Sequence, residues 1–140
     1  MHPRTFLLVC LFIALIGCSG LHRTTSVSYE GTALIVNGVR YERSTGLYEC
    51  AVVVGICTPS SSRPSYGLGL IHIQVNKNDA KAIADLIARY ELSITTQHDL
   101  STVSHMFIAV PKFFEEQWVQ AFHDEPTIRG AWVNSIYFLP

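Results

Sequence analysis

Hydrophobic and polar residues alternate most clearly at residues 70–75, in the middle of the chain. Ile71, Ile73 and Val75 fall on one side of an extended backbone there, and His72 falls on the other side. Alternation with a period of two predicts a strand that is buried on one face. We therefore expect the apolar side to pack on a core and His72 to lie on the opposite face of a sheet.

The pattern changes to a helical period after this strand. Ala80, Ile83 and Ile87 recur at the spacing of one helix face, which predicts an amphipathic helix. A second helix is predicted after Pro111, because a proline fits the first turn of a helix and an apolar stripe follows it. The expected stripe consists of Phe114, Trp118, Ala121 and Phe122. Further strands are predicted at residues 93–97, 106–110 and 128–133.

The predicted order over residues 67–140 is strand, helix, strand, strand, helix, strand. This is the order of the ferredoxin-like βαββαβ arrangement, an α+β fold in which both helices cover one face of a four-stranded antiparallel sheet. The fold alone does not specify a function, because the same arrangement carries many unrelated activities.

A β-hairpin and a further strand region are predicted before this domain, over residues 31–57. Two apolar segments flank Asn37-Gly38, the dipeptide that best tolerates the positive φ angles of a two-residue type I′ turn. The stretch that follows, residues 47–57, is rich in β-branched residues and is expected to form buried strand. Residues 58–66 contain two prolines and a serine cluster, which predicts a linker.

Cys50 and Cys57 lie within that strand region, seven residues apart. In one straight strand their side chains would point to opposite faces, whereas a reversal near Gly55 would bring them together. We expect a disulfide between them if the domain is exported to an oxidising compartment. The alternative is two buried free cysteines that pack as small apolar side chains.

The N-terminus has the pattern of a secretory signal. One cation, Arg4, precedes an uncharged apolar run over residues 6–16, which is too short to span a membrane as a helix. This run also contributes much of the 49% hydrophobic content of the 140 residues. Residues 1–17 are therefore expected to be a signal peptide that is removed on export.

Leu15-Ile16-Gly17-Cys18, which ends this segment, resembles the lipobox of bacterial lipoproteins. The resemblance implies that Cys18 becomes a lipidated N-terminus with three acyl chains, including palmitate, in a Gram-negative host. Ser19 stands where an Asp would signal retention at the inner membrane, so the resemblance implies the outer membrane, facing the periplasm. Residues 18–30 are polar and aperiodic and are expected to form the lipidated N-terminus and a tether.

A second resemblance covers the C-terminal half. Asp124-Glu125-Pro126, which follows the second helix and precedes an aliphatic strand, is similar to the turn in the prosegments and small inhibitors of subtilisin-type proteases. The resemblance implies the same ferredoxin-like fold and an inhibitory role. In that family the chain after the last strand lies extended in a protease cleft.

The charge balance excludes a nucleic-acid partner. Lys and Arg number 10 and Asp and Glu number 11, and the basic residues form no cluster. Nucleic-acid binding requires a positive patch that neutralises phosphates, and this composition does not supply one.

The sequence contains few residues that could catalyse a reaction or ligate a metal. We therefore expect neither an enzyme nor a resident cofactor. His98 and His105 flank one predicted turn, and with Asp99 they could ligate Zn²⁺ or Cu²⁺, although solvated histidines are the commoner interpretation. Glu115 and Glu116 are adjacent and are expected to be a solvated first helical turn that suits the helix dipole. We accordingly assign no catalytic residue and no metal site.

The chain ends in an apolar segment made of Ile136, Tyr137, Phe138 and Leu139. Such a segment either packs as an extra strand or binds a partner by β-augmentation. The sequence thus predicts a noncatalytic lipoprotein that binds another envelope protein, as an assembly component or as an immunity- or inhibitor-type factor. The alternative is a lipoprotein that binds a small molecule or a metal.

Overall fold

The computed structural model describes residues 25–43, 48–51, 55–59 and 66–135. This part of the chain contains two antiparallel sheets and two α-helices, a mixed α+β fold. A three-stranded sheet comes first, in the order β1-β2-β3. Its strands are β1 (Val27–Glu30), β2 (Ala33–Val36) and β3 (Val39–Tyr41).

The predicted hairpin is confirmed, and the predicted tether ends earlier than expected. Asn37 and Gly38 have φ angles of 51° and 82°, as a type I′ turn between β2 and β3 requires. The four residues of β1 were expected to belong to the tether, but they pair with β2 along their whole length. Val27 packs against the core, so the alternation of Val27 and Tyr29 was the signal for this strand.

The second sheet is built around one long strand, β6, which is hydrogen-bonded to other strands on both of its edges. Its spatial order is β9-β6-β8-β7, and all these neighbours are antiparallel. A hairpin of β4 and β5 joins the beginning of β6. The strands are β4 (Tyr48–Ala51), β5 (Ile56–Pro59), β6 (Tyr66–Asn76), β7 (Ser93–Asp99), β8 (Val103–Ala109) and β9 (Ile128–Ser135).

Both helices contribute to the core on one face of this sheet. A short 3-10 turn over Lys77–Asp79 leads into α1 (Ala80–Arg89), and α2 (Glu115–His123) precedes β9. The core combines alternate residues of the strands with the apolar stripes of the helices, as the two periodicities predict. Its fully buried large side chains include Ile71, Ile73, Ile83, Ile87, Met106, Ile108, Trp118 and Phe122.

The three-stranded sheet packs on α2 and shares this core. The Tyr41 hydroxyl donates a hydrogen bond to Asp124 at 2.9 Å, and burial, together with that carboxylate, raises the pKa of Tyr41 to about 12. The Gln117 side chain donates to the carbonyl of Thr32, in the turn between β1 and β2. Of the predicted linker, residues 58, 59 and 66 belong to strands, and residues 60–65 lie outside the described part.

Candidate functional site

The second sheet has one face that neither helix covers, which we call the open face. Because side chains alternate across a strand, the residues that neighbour the buried Ile71 and Ile73 point to this other side. The strand pairings extend this face from β7 across β8 and β6 to β9. From Leu70 onward, the paired positions on the open face are Leu70, His72, Gln74, Asn76, Ser93, Thr96, His98, Val103, His105, Phe107, Ala109, Gly130 and Trp132.

Those paired positions include no Asp, Glu, Lys or Arg. Their side chains are aromatic, aliphatic, amide or hydroxyl groups, and their ionisable members are the three imidazoles of His72, His98 and His105. These positions are therefore uncharged whenever the imidazoles are neutral, while the Arg129 guanidinium donates to Asn76 at one end of the face. Such a surface suits an uncharged, partly apolar ligand surface better than it suits a phosphate backbone.

His72 lies between two larger rings at the centre of the open face. Phe107 on β8 and Trp132 on β9 are its direct neighbours in the two strand pairings. The His72 and Phe107 rings have centroids 4.8 Å apart and planes inclined by 15°, while the His72 and Trp132 centroids are 5.3 Å apart. Trp132 is 46% exposed, so a large part of its ring is open to contact from outside the domain.

A fourth ring, His105, meets His72 edge to edge. His72 Nε2 and His105 Nδ1 are 2.8 Å apart, while the ring centroids are 5.0 Å apart and the planes differ by only 19°. This combination fits an in-plane N–H···N hydrogen bond rather than a face-to-face stack. Burial, and secondarily the charge of a protonated His105, lowers the pKa of His72. We call His72, His105, Phe107 and Trp132 the ring cluster.

The sequence suggests His98 and Asp99, rather than His72, as the neighbours of His105. His98 is indeed the cross-strand neighbour of His105. Asp99, however, accepts hydrogen bonds from the hydroxyl of the buried Ser104 and from the Gln97 amide, and it lies on the alternate side of β7. Within the described residues, no group of three or more His, Cys, Asp or Glu side chains is placed to hold a metal ion.

The His72–His105 contact could not be read from local spacing, because 33 residues separate the two histidines. The signal that was available is the alternation that sets His72 opposite Ile71 and Ile73. Trp132 was predicted to lie on the last strand, which is confirmed, but nothing in the sequence pointed to its ring packing beside His72.

The prediction of a solvated first turn in α2 is wrong for Glu115. That side chain is 0% exposed, and its Oε1 accepts hydrogen bonds from the backbone N–H groups of Gly69 and Phe113, the latter at 3.2 Å. Gly69 has a φ of +80°, at a register irregularity between β6 and β9. Glu115 thus holds the irregular part of β6 against the start of α2, and burial raises its pKa.

The predicted reversal between the two central cysteines is present. Cys50 and Cys57 are direct partners in the pairing of β4 with β5, and Gly55 in the intervening turn has a φ of +69°. Directly opposed residues of antiparallel strands have Cα atoms about 4.5–5.5 Å apart, which lies within the range of disulfides. The backbone register is therefore compatible with the disulfide, which stays a prediction.

The disulfide is tested by thiol labelling of the protein recovered from the cell envelope. Unfolded without reductant, the protein is expected to show no reactive thiol at Cys50 or Cys57, and to gain two after reduction. Reduction should also lower the thermal midpoint, because the crosslink restricts the unfolded chain. Full labelling before reduction would exclude the bond.

The remaining predicted sites lie outside the described residues. These are the signal segment, Cys18 and the apolar C-terminal residues Ile136, Tyr137, Phe138 and Leu139. Neither α1 nor α2 is long and apolar enough to cross a membrane. Comparisons of the chain with protein-family models, with curated proteins and with solved structures yield no match.

Proposed function

We propose that this chain is a noncatalytic envelope lipoprotein that binds another protein through the open face of its second sheet. The observation that carries the proposal is the ring cluster: four rings, including the half-exposed Trp132, on a sheet face that neither helix covers. Tryptophan is enriched among residues that dominate the energy of protein interfaces. Two histidines that hydrogen-bond each other, one of them flanked by the aromatic rings of Phe107 and Trp132, are arranged for contact rather than for attack on a substrate.

The ferredoxin-like arrangement is part of this proposal. The chain order β6, α1, β7, β8, α2, β9 and the spatial order β9-β6-β8-β7 support it. In that arrangement both helices occupy one side, and the other side of the sheet is free for a partner. The β1–β3 sheet then serves as an addition that extends the core around α2.

Membrane attachment rests on the N-terminal sequence. Lipidation of Cys18 would anchor the domain through acyl chains, each buried CH₂ of which contributes about 0.8 kcal/mol. With two or more acyl chains, detachment of the protein from the membrane is negligible. The open face would then be held close to a membrane surface, where its partner is another protein of the envelope, either a component of an assembly or the target of an inhibitor.

The docking face is tested by affinity capture of the full-length lipoprotein from detergent-solubilised membranes. Trp132→Ala is expected to reduce recovery of a stoichiometric partner at least tenfold, which corresponds to about 1.4 kcal/mol or more of binding energy. Leu100→Ala is the matched control, because Leu100 is 55% exposed but lies in the β7–β8 turn, outside the open face. The thermal midpoints of both variants should stay close to that of the parent protein.

Deletion of residues 136–140 distinguishes docking through the open face from docking through the C-terminal segment. If the open face binds the partner, the deletion should leave recovery unchanged while Trp132→Ala lowers it. Loss of the partner on deletion, with full recovery by Trp132→Ala, would assign docking to Ile136, Tyr137, Phe138 and Leu139 and contradict the proposal.

A further inference from the structure

The hydrogen bond between His72 and His105 makes the ring cluster a proton-responsive element. An N–H···N bond needs one proton between the two nitrogens, so in the neutral pair one ring donates and the other accepts. A first added proton is accommodated without breaking this bond, because the pair becomes N–H⁺···N. A second added proton puts hydrogen on both facing nitrogens and abolishes the bond.

The second proton also places two positive charges side by side on two half-buried imidazoles. Repulsion between like charges and burial both disfavour the doubly charged pair. The groups that face the pair offer no compensation: β7 presents His98 and Thr96, β6 presents Gln74, and β9 presents Gly130 and Trp132. Among these side chains, only the His98 imidazole can carry a charge, and that charge is positive.

His72 cannot turn away from His105 without disturbing its other neighbours. Phe107 and Trp132 lie on its two sides, with centroids 4.8 and 5.3 Å away. Since the rings stand on adjacent strands at fixed register, the imidazoles separate only if one side chain turns: either His72 leaves its place between Phe107 and Trp132, or His105 leaves the ring cluster.

We infer that His72 and His105 form a two-step proton switch, in which the second proton separates the imidazoles and opens the ring cluster. The biological consequence rests on the proposed function of the open face. A partner that covers the pair desolvates it further, so binding favours the neutral pair and the affinity should fall as the pH drops through the two steps. For each proton released on binding, linkage limits this fall to about tenfold per pH unit.

The switch is tested without any partner, by NMR titration of the full-length lipoprotein in detergent micelles with ¹³Cε1-labelled histidine. His72 and His105 are expected to titrate together in two steps separated by at least about one pH unit, as strongly interacting sites do. The lower step should coincide with a shift of the Trp132 indole signal.

Three variants make the result decisive. His105→Asn should leave His72 with one step, His72→Asn should leave His105 with one step, and His98→Asn should preserve both steps of the pair. Independent single transitions of His72 and His105 in the parent protein, or a Trp132 signal that does not follow the lower step, would overturn the inference. Either result would leave the affinity-capture test of the open face unaffected, so the two proposals fail separately.

Discussion

Replacing Glu115 with alanine is expected to lower the free energy of unfolding by about 2–4 kcal/mol, because it leaves two backbone donors without a partner. The fully buried carboxylate accepts hydrogen bonds from the N–H groups of Gly69 and Phe113. Loss of these bonds releases the irregular part of β6 from α2. Denaturant unfolding followed by circular dichroism measures the change.

Glu115→Gln separates the hydrogen bonds of this residue from its charge. Since burial raises the pKa of Glu115, the folded protein binds a proton more readily than the unfolded chain does. The contribution of this group to stability is therefore greatest below its ordinary pKa and is lost as the pH rises through the raised pKa of the folded state. Glutamine retains an acceptor oxygen and carries no charge, so this pH dependence should disappear, with stability at neutral pH equal to or above that of the parent.

Asp85→Ala provides the control for Glu115→Ala. Asp85 is also an acidic helix residue, but it is exposed and forms an i,i+4 ion pair with Lys81 at 3.2 Å. Such pairs contribute about 0.5 kcal/mol or less. Equal effects of the two alanine variants would show that Glu115 does not hold β6 to α2.

Replacing Cys18 with serine is expected to abolish membrane attachment through lipid. The hydroxyl of serine is far less nucleophilic than a thiolate and does not accept the diacylglycerol. In a bacterial host labelled with palmitate, the parent protein should carry the label and the variant should carry none. The variant should accumulate as uncleaved precursor or as soluble protein, as judged by mass spectrometry and fractionation.

Cys10→Ser is the matched control, because Cys10 lies inside the predicted signal peptide and should be removed with it. This variant should be lipidated and processed like the parent. A Cys18→Ser protein that still carries palmitate, or that is cleaved normally and remains with the membrane, would contradict the lipoprotein proposal.

Local patterns predicted the elements well where one physical signal dominated. Asn37-Gly38 specified the turn between β2 and β3 because few other dipeptides adopt two positive φ angles without strain. The alternation around Ile71 and Ile73 specified which side of β6 is buried. The predicted helix face that includes Ile83 and Ile87 packs in the core for the same reason.

The features that the sequence did not reveal depend on contacts between residues that lie far apart along the chain. Glu115 has the position of a solvated helix-start residue, and its burial arises from the backbone of Gly69, 46 residues earlier. His72 and Trp132 meet only because β6 and β9 pair in a particular register. A periodic pattern specifies the face of each element, whereas the partners across the sheet are set by the tertiary arrangement.

Photo-crosslinking in living cells tests whether the open face is the docking surface. A photoreactive phenylalanine derivative replaces Thr96, which is exposed on the open face, or Asp85, which is exposed on α1 outside that face. We expect the Thr96 position to give one adduct of defined mass with an envelope protein, lost when Trp132→Ala is added, and the Asp85 position to give none. An adduct that forms from Asp85 but not from Thr96 would contradict docking through the open face.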